Sequence, residues 1–225
     1  MYAKYFKRVF DFVLSLLALI ILSPILLILM ILGAIFMGGN PFFTQPRPGK
    51  DEKIFNLIKF RTMDNRRDKG GNLLPDDVRL NKYGRFLRST SLDELPELVN
   101  IILGDMSIIG PRPQLVRDMV FMTDEQRRRH SVRQGLTGLA QCSGRNAMTW
   151  EQKFEYDLQY INNITFINDV KIIIKTILAV FKREGIAEEG MVTATDLGDY
   201  LLNEERITQE EYKSKQIEAR NILEV

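Results

Sequence analysis

The hydrophobic pattern of this 225-residue chain changes character sharply near its start. Lys4, Lys7 and Arg8 precede Asp11, and from Phe12 to Met37 no formal charge appears. A helix crosses a bilayer with about 20 apolar residues, so this run predicts a membrane segment. It is too long for the apolar part of a signal peptide. Ser23-Pro24 divides it: proline removes an intrahelical hydrogen bond and bends a helix, while a serine hydroxyl can satisfy the freed carbonyl. Each side keeps about a dozen residues, an arm of about 18 Å, too short for a hydrocarbon core of about 30 Å. Cations flank both ends, with Lys4, Lys7 and Arg8 before the run and Arg47 and Lys50 after it. The tendency to keep positive charge inside then places both ends on one side. The expectation is a re-entrant helix hairpin broken at Ser23-Pro24 within residues 1–40, with a kinked single span as the alternative.

Beyond it the periodicities shorten. Asn40 to Gly49 is proline-rich and reads as a turn along the surface. Ile54 to Met63 alternates like a short strand, with Lys59 and Arg61 on one face. Asp64 to Asp77 is polar and reads as a loop. Ser91-x-x-Glu94 fits a capping box ahead of an apolar helix, with Pro96 in its first turn. Thr123 to Arg133 predicts a short helix whose Arg127-Arg-Arg129 run faces solvent, with proximity to anionic lipid as the alternative. Gln134 to Asn146 is glycine-rich, so its backbone can approach a ligand closely. Trp150 to Tyr160 has the spacing of an amphipathic helix. In Phe166 to Arg183, Lys171, Lys175 and Lys182 form a narrow stripe on an otherwise apolar helix, placed either in a core or at a membrane interface. Leu201 to Glu224 is strongly charged, and Thr208-x-x-Glu211 offers a second capping box, predicting a helical appendage. The sum is a helix-rich α+β fold: a re-entrant membrane hairpin (1–40), a compact domain with a short β-element and interfacial amphipathic helices (41–185), and a charged helical appendage (186–225).

Composition narrows the function classes. A formal charge of +2 argues against a nucleic-acid partner. Cys142 is the only cysteine, which excludes an internal disulfide. His130 is the only histidine, and both residues read as structural or surface groups.

The candidate chemistry centres on Asp93 and Glu94, adjacent acids at a helix start with Arg85 and Arg88 upstream. Such a pair can serve as nucleophile, base or metal ligand, although capping explains Glu94 equally well. Gly110-Pro-Arg-Pro113 fixes Arg112 in a rigid turn suited to gripping phosphate. Ser-Leu-Asp-Glu-Leu-Pro-Glu-Leu (91–98) followed by Gly-Asp-Met-Ser-Ile-Ile-Gly-Pro-Arg-Pro (104–113) closely resembles the bacterial sugar transferase family, the monotopic phosphoglycosyl transferases. The resemblance runs from about Tyr5 to Gly185, and Lys59-Phe-Arg-Thr-Met63 and Ser23-Pro24 also fit it. Gln134 departs from it, standing where the family has proline.

The resemblance implies transfer of a sugar-1-phosphate from a UDP-sugar to polyprenol (undecaprenyl) phosphate. It implies Asp93 as nucleophile, Glu94 as its partner in acceptor activation or metal positioning, and Mg2+ held by Asp93 and Glu94. It assigns Lys59, Arg88, Arg112, Pro113 and Arg145 to phosphate or nucleotide, and Asp157 to orienting an arginine or the substrate. Lys4, Lys7 and Arg8 would face lipid headgroups, and the protein would sit monotopically on the cytoplasmic face of a bacterial inner membrane. A homodimer stays open. The rival readings are a non-enzymatic membrane-anchored scaffold and a direct glycosyltransferase that releases UDP.

Overall fold

The computed structural model describes residues 1–144, 148–181 and 195–224. After a π-helical turn (Tyr2–Phe6), α1 (Lys7–Met37) carries the apolar run as one helix that includes Pro24. The expected break into two arms is not seen in its hydrogen-bonding pattern. Ser23 Oγ donates to Ile20 O at 2.8 Å, and that carbonyl is the one an amide at position 24 would have taken. The hydroxyl thus repairs the ladder, as the Ser-Pro pairing suggested.

One stripe of α1 is covered along its length. Asp11, Ser15, Leu29, Gly33 and Met37 are buried, with Ala18, Leu19, Leu22, Leu26 and Met30 half-buried between them. These positions recur at three and four residues, the spacing of one helical face. The other face exposes Ile20, Ile21, Leu27, Ile28, Ile31 and Ile35. Both ends are tied to the same body. Arg8 donates to Ile101 O (2.5 Å) and Ile102 O (2.7 Å), and Asp11 accepts from Ser107 Oγ (2.7 Å) and Ile108 N (3.1 Å). At the far end Tyr83 OH donates to Leu29 O (2.7 Å) and Asn81 Nδ2 to Phe36 O (3.1 Å).

The segment expected as a turn after the membrane run is instead a strand. β1 (Phe42–Pro48) pairs antiparallel with β2 (Ile54–Phe60), Phe42 opposite Phe60 and Phe43 opposite Lys59. Pro46 and Pro48 share the parity of Phe42, whose N–H bonds Asn40 Oδ1 and not the partner strand. Proline fits a strand where the amide faces away from the ladder. A second sheet pairs β3 (Met106–Ile109) parallel with β4 (Gln134–Thr137). Here the glycine-rich run has a packing reason: a Cβ at Gly135 or Gly138 would collide with the backbone of Gly110.

Short helices link these sheets. They are α2 (Asp76–Arg79), α3 (Lys82–Thr90), α4 (Glu97–Leu103), α5 (Val116–Met119), α6 (Asp124–Arg127) and α7 (Leu139–Ser143). Two longer ones follow, α8 (Trp150–Asn162) and α9 (Phe166–Phe181). α10 (Leu197–Asn203) and α11 (Gln209–Glu224) form the charged C-terminal part, with Thr208 Oγ1 accepting from Glu211 N at 3.1 Å. Ala219 and Ile222 of α11 pack on Val116, Met119 and Val120, while Leu197 joins Trp150 and Phe154. The appendage is therefore held to the wall of the site by apolar contact.

Candidate active site

The acid pair sits on a backbone corner. α3 ends at Ser91, a left-handed residue (φ 56°), and Leu92–Glu94 then make a single 3-10 turn before Pro96 starts α4. Pro96 is tolerated there because a first-turn amide has no intrahelical partner. The expected capping box does not form, since Ser91 makes no side-chain cap. The Glu94 carboxylate turns instead to tertiary partners that local sequence cannot reveal.

Those partners are Lys59 and Arg112. Lys59 Nζ lies 2.8 Å from Glu94 Oε1, and Arg112 Nη2 lies 2.6 Å from the same oxygen. The strand β2 delivers Lys59, and the Gly110-Pro-Arg-Pro113 turn delivers Arg112. Burial opposes ionisation of Glu94, but Arg112 and Lys59 outweigh it and hold its carboxyl well below the ordinary range. Asp93 is shifted the other way, raised by burial and by the neighbouring Glu94 charge. Among the described residues its carboxylate has no hydrogen bond or ion pair. Arg88 completes this wall, its Nε donating to Thr62 Oγ1 at 3.1 Å.

Sequence reasoning passed over Glu97, which is buried and lies 3.1 Å from Lys59 Nζ. Burial raises its carboxyl to about 7, against the pull of Lys59 and with the help of Glu94. The folded protein thus binds a proton that the unfolded chain, near the ordinary value of about 4.3, has already released. Stability from this group is full below that value and is lost as pH rises through 7. Glu97→Gln should therefore gain on wild type between pH 5 and pH 8, in denaturant midpoints measured across about that range. A constant difference between the two proteins would defeat the assignment.

Arg129 was also misread. It is not on a solvated face but fully buried, with Nε 2.9 Å and Nη2 2.8 Å from Asp157 Oδ2. Nη2 also donates to Arg112 O at 2.6 Å. Asp157 thus orients an arginine, and that arginine fastens the turn carrying Arg112. Arg47, read only as a flanking cation, is half-buried beside the same turn and donates to Pro113 O at 3.1 Å. Burial and Arg112 push its guanidinium down to about 10. His130 is buried and does not border the cleft, and burial with Arg129 pushes its imidazole down to about 4.

Beside these groups lies a cleft of about 1150 Å3. Lys59, Arg88, Asp93, Glu94, Arg112, Pro113 and Asp157 all border it, with Arg61, Trp150 and Lys153. Arg145 lies outside the described residues. Ser23 and Pro24 are on the exposed face of α1, away from the cleft lining. Of the three cations expected at headgroups, Lys7 pairs with Asp169 (2.8 Å) and Arg8 bonds the end of α4. Lys4 alone of them is exposed. Among the described residues five carboxylates border the cleft, and four are engaged: Glu94 as above, Asp157 by Arg129, Asp196 by Arg117 (2.6 Å), Asp118 by Leu197 N (2.9 Å). Asp93 is the remaining one.

The chain matches the model of the family described as bacterial sugar transferase over residues 2–183. It is 47% identical over 188 residues to the uncharacterized sugar transferase EpsL of Bacillus subtilis, covering 84% of this chain and 93% of that protein. It is 39% identical to the exopolysaccharide production protein ExoY of Sinorhizobium fredii, covering 80% of this chain and 87% of ExoY. It is 40% identical to the UDP-glucose:undecaprenyl-phosphate glucose-1-phosphate transferase of Klebsiella pneumoniae, covering 78% of this chain and 40% of that longer protein. With Asp93 and a Glu94 clamped by Lys59 and Arg112 side by side in its cleft and a family match over most of its length, the chain belongs to the bacterial sugar transferase family.

Proposed function

We propose that the protein is a phosphoglycosyl transferase that moves a sugar-1-phosphate from a UDP-sugar to undecaprenyl phosphate and releases UMP. The observation that carries the nucleophile is Asp93, the one cleft carboxylate without a hydrogen bond or ion pair among the described residues. Glu94 has one oxygen locked between Lys59 and Arg112, whereas neither Asp93 oxygen is held by a side chain among the described residues, which leaves one for a metal and one for attack. Its oxygen attacks the β-phosphorus, the bond from that phosphorus to the bridging oxygen breaks, and UMP leaves with the electron pair. The resulting aspartyl phosphosugar is then attacked by a phosphate oxygen of the acceptor, forming the lipid diphosphate and freeing Asp93. Lys59, Arg88 and Arg112 grip the donor diphosphate, and Glu94 fixes two of them. The named activity of the Klebsiella relative supports this donor and acceptor, and that of the undecaprenyl-phosphate galactose phosphotransferase of Salmonella typhimurium supports the acceptor.

Mg2+ suits the donor set. A hard cation takes one or two carboxylates and completes its shell with substrate phosphates and water. Asp93 and the second oxygen of Glu94, unbonded among the described residues, would hold it, and it would neutralise charge on the diphosphate.

The two-step scheme predicts that enzyme given donor alone gains the mass of a phosphosugar on the peptide containing Asp93, and that kinetics are ping-pong. Release of UDP, or sequential kinetics without an adduct in rapid-quench samples, would overturn it.

We further propose that α1 enters one leaflet and leaves it on the same, cytoplasmic face, bending at Ser23-Pro24. Support comes from the two ends of α1, both bonded to one body, and from the exposed Ile20, Ile21 and Ile25 around the proline. Cysteines placed at Ala3 and at Asn72, with Cys142 replaced, should both label from the cytoplasm. Labelling of position 3 from the opposite side would establish a span instead.

A further inference from the structure

α9 has three sectors. At about 100° per residue, Phe166, Ile167, Val170, Ile174, Ile177 and Leu178 share one, and all six are exposed. Asp169, Ile172, Ile173 and Thr176 occupy the packed sector. Lys171, Lys175 and Asn168 fall between, along one edge of the apolar face. That edge opens on a cavity of about 410 Å3, lined also by Leu139, Gln159 and Asn163. No carboxylate borders it among the described residues, and it shares no lining residue with the catalytic cleft. The cleft borders the opposite edge of the apolar face, through Ile173, Thr176 and Ile177.

We propose that this cavity binds the phosphate headgroup of an anionic phospholipid that is not the acceptor. Lys171 and Lys175, one helical turn apart, contact the phosphate; the Gln159 and Asn163 amides add donors. Acyl chains leave over Ile174, which both lines the cavity and is 52% exposed. A free anion would gain nothing from that exposed isoleucine, whereas an amphiphile matches donors below and apolar surface beside them. The proposal rests on the membrane reading above.

The test uses full-length protein in phosphatidylcholine vesicles with and without phosphatidylglycerol, followed by native mass spectrometry of retained lipid. Wild type should keep phosphatidylglycerol in preference to phosphatidylcholine. Lys171→Gln with Lys175→Gln should cut that retention by about tenfold, and the Lys171→Arg, Lys175→Arg protein should restore it. UMP release in pure phosphatidylcholine should be the same for all three proteins. Undiminished retention in the glutamine variant overturns the site. Displacement by millimolar inorganic phosphate reassigns it to a free anion, and displacement by polyprenol phosphate reassigns it to the acceptor, and either overturns the proposal. Failure to float with any vesicle defeats the membrane reading and this proposal together; flotation without phosphatidylglycerol preference defeats the proposal alone.

Discussion

Asp93→Asn should lower UMP release by at least about a thousandfold, since the amide cannot form the covalent phosphosugar and leaves only binding and electrostatics to act. The fold should survive. The Asp93 carboxylate accepts no hydrogen bond among the described residues, it is raised by burial and the Glu94 charge, and a neutral amide relieves both. The melting temperature of the variant should therefore match or exceed that of wild type. Donor affinity should persist, because Lys59 and Arg112 remain paired with Glu94. A variant that melts normally and still releases UMP at wild-type rate would remove Asp93 from the mechanism and move the search to Glu94.

Arg129→Ala should be the most destabilising single change near the site, by about 3–5 kcal/mol, because it leaves Asp157 buried with its charge uncompensated. Burial already raises the Asp157 carboxyl, and Arg129 is what opposes that. The same substitution removes the donor to Arg112 O, freeing the turn that aims Arg112 at Glu94. Asp157→Asn separates the two effects. It leaves Arg129 without a counter-charge but keeps an oxygen for its hydrogen bonds, so it should cost less stability than Arg129→Ala and show a raised KM for the donor with a smaller change in kcat. In an Arg112→Ala background the same Asp157→Asn change should no longer weaken donor binding, measured by titration with UDP. Equal losses in both backgrounds would reduce Asp157 and Arg129 to general stability.

What could be read from the chain was whatever depends on neighbours in sequence. The charge-free run predicted a membrane-type helix, Thr208-x-x-Glu211 a cap and Ile54 to Met63 a strand, and the adjacency of Asp93 and Glu94 marked two acids that the fold places in the cleft wall. Ser23 beside Pro24 even foretold the hydroxyl-to-carbonyl repair, because donor and acceptor lie within one turn. Errors arose where a distant partner decided the outcome. Asn40 to Gly49 has the composition of a turn, but β2 recruits it as a strand whose prolines fall on the unpaired side. Arg127-Arg-Arg129 has the composition of a solvated face, but Asp157, 28 residues away, draws Arg129 into the interior.

The glycines at 110, 135 and 138 could be noticed in sequence, but only the crossing of the Gly110 turn and β4 shows that backbone contact requires them. By itself the sequence determined the elements with local periodicity and the identity of the acids, because helix spacing, caps and adjacent charges act over a few residues. Only the tertiary structure decided which acid is clamped and which is unpartnered. Lys59 and Arg112 reach Glu94 from a strand and a turn 35 and 18 residues away, and a pairing at that range is set by packing and not by spacing.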